Sequence, residues 1–77
     1  MSTMFEVYYK PPADSDRESA LEESVSQSGG RLTYREGHEN GAPSICLTFE
    51  FDARDRAEAA ALALRGQGEH VEGPADY

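Results

Sequence analysis

Apolar and polar side chains alternate in two stretches of this chain, Phe5-Glu6-Val7-Tyr8-Tyr9 and Ile45-Cys46-Leu47-Thr48-Phe49-Glu50-Phe51, and each runs into a segment of helical character. Successive side chains of a strand point to opposite faces, so period-two alternation predicts half-buried strands. The first spans Phe5–Lys10, with Phe5, Val7 and Tyr9 inward and Glu6, Tyr8 and Lys10 outward. Pro11-Pro12 stops it, because proline cannot donate to a ladder. Ser15 and Glu18 then match a capping box, acids crowd the first helical turn, and Leu21 with Val25 forms a thin apolar stripe ending at Gly29-Gly30.

A second strand is expected over Arg31–Glu36, with Leu32 and Tyr34 inward. Asn40-Gly41 marks the hairpin turn within residues 37–43. Strand three, Ser44–Phe51, buries Ile45, Leu47, Phe49 and Phe51. Asp52 is placed to cap a helix over Ala53–Arg65 whose inner face is Ala57, Ala60, Ala61 and Leu64. Glu69–Glu72, centred on Val71, makes a short last strand, ended by Gly73-Pro74. One domain over residues 1–73 with a loose tail at 74–77 follows.

Strand-helix-strand-strand-helix-strand, with the most apolar strands first and third, resembles the ferredoxin-like α+β plait. The resemblance is one of architecture and points to no family. It implies a four-stranded antiparallel sheet with both helices on one face and strands one and three in the centre; right-handed crossovers set the helix side. This reading expects the central pair to run parallel.

Size and charge narrow the functions. At 77 residues the chain makes a single small core. Its composition is 38% hydrophobic and 29% charged, without the roughly 18 consecutive apolar residues of a spanning helix, and the N-terminus does not read as a secretory signal. The lone Cys46 precludes an internal disulfide, so a reducing cytoplasm is the default compartment. The formal net charge of −8 is concentrated in residues 11–30, where five acids face Arg17, and in Glu69, Glu72 and Asp76. Such a field repels phosphate backbones, which argues against nucleic acid as a partner.

Chemistry known on this architecture finds no matching residues. Metal-carrying plaits resemble one another in a Cys-x-x-Cys pair after strand one, where this chain has Lys10-Pro11-Pro12-Ala13-Asp14-Ser15. The same acidic, proline-rich loop lacks the glycine and arginine of an acylphosphatase-like phosphate cradle, and no glycine follows strand one to admit the ligand backbone of an amino-acid-sensing domain. RNA-recognition plaits stack bases on central-strand aromatics, of which only Tyr8 faces outward here. His38 and His70 have no metal-ligand spacing, and Cys46 among acids has a raised rather than lowered pKa. No metal, cofactor or catalytic residue is expected.

What remains is surface. The outward set Glu6, Tyr8, Thr33, Arg35, Cys46, Thr48 and Glu50 forms a candidate binding face, with a solvated sheet face as the plain reading. The acidic first helix, through Asp16, Glu18, Glu22 and Glu23, is a second candidate contact for a basic partner. The leading expectation is a non-enzymatic domain that binds a protein or a second copy of itself. The alternative is a small-ligand or enzymatic plait whose pocket forms at a dimer interface around Tyr8, Arg35, Cys46 and His70.

Overall fold

A computed structural model describes residues 2–37 and 43–76. Six elements follow one another: β1 (Thr3–Tyr9), α1 (Ser15–Gln27), β2 (Gly30–Glu36), β3 (Ile45–Phe51), α2 (Arg54–Gly66) and β4 (His70–Asp76). The strands form one sheet in the order β2-β3-β1-β4, and every neighbouring pair is antiparallel. This is the ferredoxin-like plait. The central strands β1 and β3 run antiparallel, not parallel: β2 and β3 are joined directly and reverse direction, so it is β1 and β2 that share a sense.

Strict alternation makes the sheet two-faced. Phe5, Val7, Leu47, Phe49, Phe51 and Val71 point to one side, where they meet Leu21 and Val25 of α1 and Ala57, Ala60, Ala61 and Leu64 of α2. Both helices therefore cover the same face. The alanines let α2 lie close to the strands, and Phe5 stacks between Phe49 and Phe51, with ring centroids 5.8 and 5.3 Å away. Tyr9 and Ile45 extend the buried set toward the start of α1.

Both helix starts differ from expectation. Asp14, not Ser15, caps α1: its carboxylate accepts the Arg17 amide at 3.0 Å. Ser15 is already helical, and Glu18 turns toward the sheet instead of back to the cap. Ala53 occupies the α2 cap position without a side-chain bond, while Asp52 lies out in solvent 3.5 Å from Arg31. Glu18 is engaged by Arg35 and Tyr9 instead of by the cap.

Two bulges reset the edge strands. On β2, Leu32 stands opposite Phe49 but Tyr34 stands opposite Thr48, so Thr33 is an extra residue. Tyr34 is thereby turned out of the core and is 59% exposed. On β4, Met4 faces Ala75 and Glu6 faces Glu72, so Gly73 and Pro74 together oppose Phe5. Gly73 adopts φ +104°, which L side chains rarely do, and a Cβ there would sit 3.2 Å from the Met4 carbonyl. The strand absorbs Gly73-Pro74 and continues to Asp76, where the sequence reading has a loose tail. Arg65, at the end of α2, secures this edge by donating to the carbonyls of Val71 and Gly73 at 3.1 and 2.7 Å. The Asn40-Gly41 turn and His38 lie outside the described residues.

Candidate functional site

The face opposite the helices is covered by no element among the described residues. Register sets its side chains in three rows running β2 to β4: Glu36, Cys46, Tyr8 and His70; then Tyr34, Thr48, Glu6 and Glu72; then Arg31, Glu50, Met4 and Ala75. Five of the seven expected residues are here: Glu6, Tyr8, Cys46, Thr48 and Glu50. Thr33 is the bulge residue, its hydroxyl 3.4 Å from the Thr48 carbonyl oxygen. Arg35 is not on this face. The bulge places it opposite Leu47 on the helix side, where Nε donates to Glu18 at 2.7 Å.

The alternation of β2 beyond Thr33 therefore misassigns its residues. Tyr34 and Glu36 join the open face, and the sequence carries no glycine to mark the bulge. Arg31 was within reach, since it has the parity of Thr33. So were His70 and Glu72, which flank the inward Val71.

Within the rows the side chains bond to one another. Tyr8 donates its hydroxyl to Glu6 Oε1 at 3.2 Å, and the Cys46 thiol lies 3.7 Å from Glu6 Oε2. The Tyr8 ring meets His70 edge-on at 5.8 Å, and His70 Nε2 is 2.7 Å from Glu72. Arg31 reaches Glu50 at 3.0 Å. Burial raises the Tyr8 hydroxyl pKa, and the adjacent Cys46 and Glu6 raise it further. Burial also lifts the Cys46 thiol; the Tyr8 hydroxyl opposes this and the Glu6 charge adds to it. A thiol held protonated beside a carboxylate is a poor nucleophile. At the end of these rows Tyr8, Lys10, Ser44, His70 and Glu72 border an open recess of about 340 Å³. No group of three metal-ligating side chains occurs among the described residues.

The acidic helix divides. Asp16, Glu22 and Glu23 are exposed on α1. Glu18 is committed inward: it accepts from Arg35 and from the Tyr9 hydroxyl, and Arg17 lies over the Tyr9 ring at 4.9 Å while pairing with Glu69 at 2.7 Å. Arg35 first, and Tyr9 after it, hold the Glu18 carboxyl below its ordinary pKa against the opposing effect of burial. A carboxylate whose pKa falls on folding stabilises the fold above its unfolded value and loses that contribution as pH falls through its folded value. Glu18→Gln is expected to cost about 1 kcal/mol at neutral pH. That deficit should shrink as pH falls below the ordinary glutamate range, through the lowered value that Arg35 imposes on Glu18. Urea midpoints of the two proteins at neutral and acid pH test this; an unchanged gap would mean the charge on Glu18 contributes nothing.

No protein-family model matches the chain, and no curated protein is detectably similar to it in sequence.

Proposed function

We propose that this domain is a non-enzymatic binding module that docks another protein on its open sheet face. The observation carrying this reading is Tyr34, a large aromatic turned outward by the β2 bulge and left 59% exposed in the row it shares with Thr48 and Glu6. Tyr8 and Met4, on β1 beyond β3, add an aromatic and an apolar side chain to the same face among its charges, residue types favoured at interface centres. Catalysis is the weaker reading, since the only thiol is held protonated and the other ionisable side chains of the face are acids, tyrosines, His70 and Arg31.

The recess beside Tyr8 and His70 favours a small-ligand reading as the second choice. It lacks the Arg35 guanidinium that the sequence placed there. The α1 acids Asp16, Glu22 and Glu23 remain a rival contact on the opposite layer.

A photo-crosslinking residue at position 34, compared with one at the still more exposed Leu62 on α2, separates these. An adduct of defined mass in cells at position 34 alone is expected, and its mass distinguishes a second copy from another protein. Adducts at both positions, or only at position 62, would overturn the open-face reading.

A further inference from the structure

Glu6 and Glu72 are directly opposite each other on neighbouring strands and point to the same face. Such pairs hold their Cβ atoms about 4.5–5.5 Å apart, and like charges there are destabilising. Among the described residues Glu6 has no Lys or Arg partner, bonding only Tyr8 and Cys46, and Glu72 has only His70. Some carboxylates elsewhere do meet a cation: Arg31 reaches Glu50, Arg17 reaches Glu69, and Arg54 reaches Glu58 and Asp76. The helix side even shows a cation against an aromatic ring and a nearby carboxylate, in Arg17, Tyr9 and Glu18. On the open face the ring and the carboxylates have His70 beside them, 5.8 Å from the Tyr8 ring and 2.7 Å from Glu72, and no Lys or Arg bonded to Glu6 or Glu72 among the described residues.

We infer that the open face takes a cationic segment of a partner protein, seating a lysine or arginine side chain between Glu6 and Glu72 against the Tyr8 ring. This rests on the reading of that face as a docking surface. Charge complementarity selects the occupant. Four carboxylates, Glu6, Glu36, Glu50 and Glu72, share the rows with Arg31 as the only Lys or Arg. A second copy packed face to face would set these carboxylates against their own kind, on a chain already at −8. A basic segment is attracted by the whole field, which speeds its encounter, and is desolvated at the carboxylate pair.

The test titrates isotope-labelled chain with a capped heptapeptide alternating lysine and threonine, whose period in extended form matches that of the strands. Saturable amide shifts at Glu6, Tyr8, Thr48 and Glu72 are expected, with no shifts from the counterpart carrying glutamate for lysine. Glu6→Gln with Glu72→Gln removes both charges at nearly constant shape, leaves each side chain one acceptor oxygen, and should weaken binding about tenfold. Relief of the repulsion should at the same time raise Tm by about 2–4 °C. Shifts confined to α1, affinity indifferent to the double substitution, a lowered Tm, or the same shifts from magnesium ions alone would each overturn the inference. If position 34 still crosslinks a partner whose capture ignores the double substitution, the docking face stands and the cation does not.

Discussion

Replacing Gly30 with alanine is expected to lower stability by about 3 kcal/mol, through crowding alone. Gly30 opens β2 at the point where that strand leaves α1, opposite Phe51. A Cβ there would meet the Phe51 ring at 2.5 and 2.6 Å and the Val25 Cγ1 at 2.6 Å. Neither neighbour can withdraw, because Phe51 and Val25 are fully buried in a core that interdigitates with α2. For a domain of this size the loss is about 12–24 °C in Tm. Thermal unfolding of the variant measures it. Gly66→Ala at the end of α2, where nothing lies within 4 Å, is the matched control and should be neutral or slightly stabilising. Adding Phe51→Leu to Gly30→Ala should recover part of the loss, because the collision is with the ring. A Gly30→Ala protein melting with the wild type would show that the β2–core approach is looser than described.

Phe5→Ala should be the more damaging change, at about 3–5 kcal/mol. The ring is 1% exposed and fills the space between Phe49 and Phe51, so its removal leaves a cavity bounded by two rigid aromatics that cannot collapse into it. Domains of this length have roughly 4–12 kcal/mol in total. The variant is therefore expected to lose cooperative unfolding or to melt only slightly above room temperature. Tyr34→Ala removes an aromatic of similar size from the open face and should shift stability by no more than about 0.5 kcal/mol. Circular dichroism melts of the two decide the matter: comparable losses would mean that Tyr34 is packed, and with it the case for an exposed docking strip would fall. Phe5 also anchors the strand from which its neighbours Met4 and Glu6 project to the open face.

Much of this was legible in the residues. The alternation in β1 and β3 assigned Phe5, Val7, Ile45, Leu47, Phe49 and Phe51 to the core and Glu6, Tyr8, Cys46, Thr48 and Glu50 to the other face, and the structure has them so. The α2 face of Ala57, Ala60, Ala61 and Leu64 followed equally from helical period. Central strands are read well because both neighbours hold their register and any slip would expose a whole apolar set. Edge strands lack that constraint on one side. There the alternation misplaced Tyr34 and Arg35, and Gly73-Pro74 was read as an end where it is a bulge.

The helix caps failed for a related reason. Ser15 with Glu18, and Asp52 before α2, are sound local signals. Local signals lose when a tertiary partner offers a better bond, as Arg35 and Tyr9 do for Glu18, while Asp52 stays in solvent and leaves the cap position to Ala53.

By itself, then, the sequence determined the order of elements and the two-sidedness of the sheet, because both rest on periodicity within short windows. Only the tertiary structure decided which residues of β2 after Thr33 and of β4 after Glu72 face outward, and that Glu6 stands opposite Glu72. Both depend on register between strands distant in the chain, and a single extra residue at Thr33 or at Gly73-Pro74 turns the side chains beyond it to the other face.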